Sequence, residues 1–137
     1  MIKVSIVILN WNSDNYLKDC LKAICAQSFK DFEVIFVDNG SSNGSLEEVK
    51  KAYPTFIYVE NNLNYGFARG MNIGISHAQG EYVLLLNTDV YLDSNYLEEC
   101  VKALDCDSTL GCVAGVEYPW KNGKLLQSTY FIWCFRN

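Results

Sequence analysis

Asn87 and Asp89 stand one residue apart at the end of an unbroken apolar run, Tyr82-Val83-Leu84-Leu85-Leu86. Oxygen donors at that spacing suit a hard divalent cation. An acid just past a buried strand lies at the carboxyl edge of a sheet, where open α/β folds bind their ligands. The same grammar occurs at Val34-Ile35-Phe36-Val37, which runs into Asp38-Asn39-Gly40-Ser41-Ser42. Two acids that leave two buried strands have the means to face one ligand. The competing reading is that each caps the helix behind it, because Asp is favoured at strand exits and helix N-caps. The presence of both favours the site.

The elements that must position these residues can be read from periodicity. Val4 to Leu9, Phe32 to Val37, Phe56 to Val59 and Tyr82 to Leu86 read as buried strands. Asn10-Trp11-Asn12-Ser13 is a polar exit, with Ser13 the expected N-cap of a helix whose apolar positions are Tyr16, Leu17, Cys20, Leu21 and Ile24. Ser45 is expected to cap a second helix that Pro54 ends. Phe67 to His77 reads as a helix despite Gly70 and Gly74, which lie four apart on one face and would let it approach a sheet or a ligand closely. Asp93 or Ser94 is expected to cap a helix to about Leu104, and Cys112 to Glu117 reads as a further strand. Asn122-Gly123 is a hairpin dipeptide expected to join that strand to one from about Leu125. Alternation of strand and helix implies a mostly parallel sheet covered by helices.

Composition narrows the partners. With 137 residues the chain is expected to be one domain over 1–137. Its net charge of −5 argues against a nucleic-acid backbone, which wants a basic face. It leaves room for a single nucleotide, because a metal ion offsets phosphate charge locally. No signal peptide and no apolar stretch long enough to cross a bilayer is visible, so the expectation is a cytoplasmic protein, reaching the inner face of the membrane through substrates or partners. Six cysteines without a Cys-x-x-Cys pair, and one histidine, speak against zinc and for reduced, buried thiols. A dinucleotide-binding Gly-x-Gly-x-x-Gly is absent after the first strand, as is a phosphate-binding Gly-x-x-x-x-Gly-Lys. Trp11 is suited to stack on a base or cover a pocket, and equally to fill a core.

Four segments, taken together and in order, resemble family-2 glycosyltransferases. They are Val4 to Asn12, Val37-Asp38-Asn39-Gly40-Ser41-Ser42, Asn64 to Asn72 (Asn-Tyr-Gly-Phe-Ala-Arg-Gly-Met-Asn) and Leu86-Asn87-Thr88-Asp89. The Leu-Asn-x-Asp signature resembles the branch that includes rhamnosyltransferase-like enzymes. The resemblance extends to about Ser128 and implies a three-layer α/β/α GT-A fold, with a mostly parallel central sheet and a late antiparallel hairpin. It implies inverting transfer of a sugar from a UDP- or dTDP-sugar to a saccharide or lipid-linked acceptor. On this resemblance Leu9, Asn10 and Asn12 would line the nucleoside pocket and Asp38 would hold the base or ribose. Arg69 would approach the ribose or diphosphate, Gly66 and Asn72 would shape that loop, and Asn87 and Thr88 would complete the donor site. Asp89 would bind Mg²⁺ or Mn²⁺.

The chain departs from the family pattern at two places. The usual metal motif is Asp-x-Asp, and its first position here is Asn87, a neutral and weaker ligand. The general base of the family lies downstream, and Glu117 is the one candidate for it, at a strand end. The expectation is therefore a nucleotide-sugar-binding part that lacks the acceptor half. A module that holds a nucleotide sugar without turnover is the alternative, and a purely structural domain is the third reading. The apolar segment Tyr130 to Phe135 is expected to be a strand awaiting partners from a missing half, to contact a second copy of the chain, which is the favoured reading, or to touch a membrane.

Overall fold

A computed structural model of the chain describes residues 2–13, 16–116, 120–121, 124–125 and 131–137. Strands β1 (Val4–Asn10), β2 (Phe32–Asp38), β3 (Ile57–Glu60) and β4 (Tyr82–Asn87) alternate with helices α1 (Leu17–Cys25), α2 (Ser45–Ala52) and α3 (Phe67–Ile75). Helix α4 (Tyr96–Cys106) follows, then β5 (Cys112–Val116), β6 (Trp120–Lys121), β7 (Lys124–Leu125) and β8 (Phe131–Arg136). Six strands form one sheet in the order β3-β2-β1-β4-β8-β5. β3, β2, β1 and β4 are mutually parallel, and β8 runs antiparallel to both β4 and β5.

The strands are apolar on both faces because both faces are covered. Ile6 and Ile8 of β1 pack with Leu21 and Ile24 of α1 and with Leu97 and Leu104 of α4. Val7 points to the other face and joins Ile35, Val37, Val83 and Met71 of α3. Gly70 and Gly74 give α3 its close approach, and the surface they approach is the sheet. A Cβ at Gly74 would collide with Val7 and Val37, and one at Gly70 would lie 2.6 Å from Leu9 Cδ1.

Several expectations need correction. Segment 131–136 does not await outside partners: β8 is hydrogen-bonded on both edges, opposite Tyr82–Leu84 of β4 and opposite Cys112–Val116 of β5. β6 and β7 pair antiparallel with Trp120 opposite Leu125, as a two-stranded ribbon separate from the sheet that holds β5, and the Asn122-Gly123 dipeptide lies outside the described residues. None of the four helices carries a side-chain cap: the N-cap positions are Tyr16, Gly44, Gly66 and Asn95. The hydroxyls of Ser13 and Ser45 bond elsewhere, to Thr88 and Asn10. All six thiols are free, but only Cys20, Cys100 and Cys134 are buried, while Cys25, Cys106 and Cys112 are exposed. Among the described residues no helix is long and apolar enough to cross a membrane.

Candidate functional site

The chain order reverses at β1, with β2 on one side and β4 on the other. The loops leaving these strands must part there, and a crevice opens at their carboxyl ends. It has a volume of about 470 Å³. Leu9, Trp11, Asn12, Ser13, Tyr16 and Leu17 form one side, and Asn64, Gly66 and Phe67 another. Asn87, Thr88 and Asp89 close it from β4, and Asn39 sits at its floor. Three large aromatics here are exposed: Trp11 at 56%, Tyr16 at 68% and Phe67 at 58%. Trp11 is therefore a cleft residue and does not fill the core.

Beneath the cleft lies a buried polar cluster. Asn10 Nδ2 lies 2.8 Å from Asp38 Oδ1, 2.9 Å from Ser45 Oγ and 3.1 Å from Ser41 Oγ. The other oxygen of Asp38, which is 3% exposed, accepts the Ser41 N–H at 2.9 Å. Asp38 thus fixes the amide orientation of Asn10, because the flipped amide would set oxygen against carboxylate oxygen. The consequence is that Asn10 Oδ1 is buried without a partner. Asn12 occupies the left-handed region, with φ of 50°. Its side chain accepts the Ser42 N–H at 2.8 Å, and its own N–H donates to Ser41 Oγ at 2.9 Å. The exits of β1 and β2 are laced together in this way.

The turn after β4 is held from two directions. Ser13 and Thr88 share a hydroxyl–hydroxyl bond of 2.8 Å. From below, the Cys20 thiol donates to the Asn87 carbonyl at 3.5 Å. Burial pushes that thiol up to about 12, so it remains a protonated donor. Asp89 is exposed, and among the described residues its carboxylate has no hydrogen bond or ion pair. No group of three His, Cys, Asp or Glu side chains is gathered for a metal among the described residues.

The predicted residues divide accordingly. Leu9, Asn12, Gly66, Asn87, Thr88 and Asp89 line the cleft, whereas Asn10 and Asp38 lie behind its wall. Arg69 and Asn72 do not line it. They are three apart on α3, on the side away from Gly70 and Gly74, so packing the glycines on the sheet turns them outward. The Arg69 guanidinium lies over the Tyr65 ring at 4.0 Å. Glu117 falls outside the described residues. The residues not singled out as cleft residues from sequence are Ser13, Tyr16, Leu17, Asn39, Asn64 and Phe67. Of these, Asn39 and Asn64 were signalled by a loop with several amides facing a strand exit.

The sequence model of glycosyl transferase family 2 matches residues 5–136. The chain belongs to that family. The poly(ribitol-phosphate) beta-glucosyltransferase of Bacillus spizizenii is 33% identical over 139 residues, covering 95% of this chain and 21% of that protein. This family-2 chain spans between 12% and 30% of the length of the first curated relatives it matches. Among solved structures, the mannosyltransferase PcManGT of Pyrobaculum calidifontis, in complex with GDP-Man and Mn²⁺, superposes with a TM-score of 0.79 at 23% identity, over 98% of this chain and 44% of that one. S. aureus TarS 1-349 in complex with UDP-GlcNAc gives 0.76 at 24% identity, over 93% and 37%. These likenesses establish the GT-A fold: a mostly parallel sheet between helices, with an antiparallel strand inserted late.

Proposed function

We propose that this chain is the nucleotide-sugar-binding part of an inverting glycosyltransferase that uses a UDP- or dTDP-sugar and a saccharide or lipid-linked acceptor. The observation that carries the reading is the Asp89 carboxylate, without a partner among the described residues and held beside Asn87 and Thr88 at the rim of a cleft with aromatic sides. The solved relatives carrying UDP-GlcNAc, or GDP-Man with Mn²⁺, support a nucleoside diphosphate sugar as the ligand class.

The donor set fits Mg²⁺ or Mn²⁺. Magnesium is commonly held by one or two carboxylates plus substrate phosphates and water, so a single acid at the rim is an adequate anchor. Asp89 would hold the ion, with the Asn87 amide and the Thr88 hydroxyl as neutral neighbours. When bound, the ion stabilises the negative charge that grows on the departing diphosphate. Trp11 offers a face on which a base stacks, and Leu9 and Asn12 border the same place. Asp38 and Asn10 fix the β1 and β2 exits from behind. Arg69 stands outside the cleft, over the Tyr65 ring.

In the proposed reaction an acceptor oxygen bonds to the anomeric carbon from the face opposite the leaving group. The carbon–oxygen bond to the diphosphate breaks, and its electron pair stays on the phosphate oxygen. The acceptor proton must pass to a base. Asp89 is the only acid lining the cleft among the described residues, and a role as metal ligand leaves it unsuited to be that base. This favours, as the second reading, a module that holds the donor without turnover.

Calorimetric titration of UDP and dTDP, with and without Mn²⁺, tests the reading. Binding that depends on the metal and disappears in Asp89→Ala is expected. Absence of binding for both nucleotides overturns it. Release of free nucleotide from a nucleotide sugar in the presence of saccharide acceptors separates the enzyme from the holding module.

A further inference from the structure

We propose that Asn39 is a positioning residue that sets the cleft wall formed by residues 61–66, through bonds that leave it no capacity for a ligand. The functional consequence rests on the reading of the cleft as a nucleotide site. A side-chain amide has two N–H donors and one carbonyl oxygen with two lone pairs. Asn39 uses all four. Its Nδ2 donates to Asn64 Oδ1 at 2.9 Å and to the Gly66 carbonyl at 3.2 Å. Its Oδ1 accepts from Asn61 Nδ2 at 3.0 Å and from the Tyr65 N–H at 3.2 Å. The side chain borders the cleft, yet Asn39 is only 1% exposed.

The orientation of this amide is dictated by groups that cannot rotate. The Gly66 carbonyl accepts only, and the Tyr65 N–H donates only. Asn64 Oδ1 is likewise fixed, because it also takes the Gly66 N–H at 2.8 Å. A flipped Asn39 would face two acceptors with an acceptor and a donor with donors. A carboxylate at this position would set oxygen against Asn64 Oδ1 and the Gly66 carbonyl.

The surrounding backbone shows the same docking. The Asn39 N–H donates to the Asn10 carbonyl at 2.8 Å, and the Asn61 N–H to the Asp38 carbonyl at 2.8 Å. Gly40, at φ of 75°, lets the loop sit flush, since a Cβ there would lie 2.8 Å from Leu63 Cα. The docked loop ends at Gly66, the N-cap of α3. It therefore determines where Phe67 enters the cleft and where Tyr65 carries Arg69. Asn39 joins the ends of β1 and β2 to that wall and, with these backbone contacts, sets the width of the cleft.

Amide hydrogen exchange on Asn39→Ala tests the placement without any ligand. The Tyr65 amide is expected to exchange at least about tenfold faster while the β1 amides keep their protection. Calorimetric titration with UDP and Mn²⁺ tests the consequence. Asn39→Ala and Asn61→Ala, the latter at a residue that does not line the cleft, are each expected to weaken binding about tenfold, and the double variant no further. Unchanged exchange at Tyr65 overturns the proposal. So do additive losses in the double variant, which would mean that Asn39 touches the nucleotide itself. Should Asn39→Ala lose the β1 protection as well, Asn39→Asp and Asn61→Ala carry the same two measurements. Val101→Ala, a destabilised control on α4, is expected to leave nucleotide affinity unchanged. If the wild-type chain binds neither UDP, dTDP nor GDP, the nucleotide reading fails, and the exchange experiment still decides the role of Asn39.

Discussion

The two ends of the sheet treat charge in opposite ways. At the amino edge, Lys3 Nζ lies 2.8 Å from both Glu81 and Asp105, and over the Tyr82 ring at 4.8 Å. The Tyr82 hydroxyl donates to Asp105, and Arg136 donates to that hydroxyl at 3.3 Å and to the Leu110 carbonyl at 3.0 Å. These side chains come from the residues just before β1 and β4, from β4 itself, from α4 and from β8, and they tie the inserted strand to the rest. At the carboxyl edge the pattern is reversed: Asp89 has no partner among the described residues, Asn10 Oδ1 is buried and unsatisfied, and three aromatics face solvent. Native folds satisfy their buried polar groups, and one edge of this molecule does so. At its other edge, among the described residues, the exposed Asp89 carboxylate is open to a ligand, whereas the Asn10 oxygen is buried behind the cleft wall.

The largest expected effect breaks the contrast at its sharpest point. Asp89→Ala should abolish metal-dependent nucleotide binding, a loss of about 100-fold or more, with no fall in Tm, because among the described residues no protein group is bonded to that carboxylate. Isothermal calorimetry and thermal unfolding together check both halves. Trp11→Ala should follow, weakening nucleotide affinity by about 5- to 100-fold, the range of losing one base–aromatic stack. Fluorescence quenching by UDP should vanish with it. Asp38→Ala should act on both binding and stability. It strands the Asn10 amide and the Ser41 N–H, so unfolding free energy should drop by about 2 kcal/mol, with nucleotide affinity weakened as the β1 exit loosens. Denaturant titration measures the first.

The smallest effect sharpens the contrast from the other end. Lys3→Met should lower Tm modestly and leave nucleotide binding intact. Hydrogen bonds from Lys3 hold the Asp105 and Glu81 carboxyls below their ordinary range. Their contribution is present above the ordinary carboxylate pKa and is lost as pH falls through the depressed one. Donating hydrogen bonds to Asp105 and Glu81 raises the Lys3 ammonium, whose contribution is present below the ordinary lysine pKa and is lost as pH rises through the raised one. Wild-type Tm should therefore fall more steeply in acid than that of Lys3→Met, measured by circular dichroism. A nucleotide-affinity loss in Lys3→Met as large as that in Trp11→Ala would erase the distinction between the edges.

Much of this was legible along the chain. Val4 to Leu9 and Tyr82 to Leu86 are apolar without alternation because both faces of β1 and β4 are covered, so their burial and parallel pairing follow from local pattern. Asp89 was legible as an acid at the carboxyl edge of the sheet because it follows such a run closely. Arg69 and Asn72 were less so. A motif is read in a line, whereas a helix distributes it over 360°, and the demand of Gly70 and Gly74 for the sheet decides which face turns outward. The caps failed for a similar reason: Ser13 and Ser45 have the right chemistry for a cap, but Thr88 and Asn10 from distant strands compete for the same hydroxyls.

Sequence alone determined the number and type of most elements, the family and the acid at the end of β4, because each is encoded by neighbouring residues. Only the tertiary structure decided that β8 enters between β4 and β5, that Asp38 lies behind the cleft rather than in it, and that Asn39 joins three segments. Strand order and amide partnership depend on groups brought together from 22 to 75 positions apart. Which of several equivalent partners a side chain meets is settled by packing, and no local pattern records it.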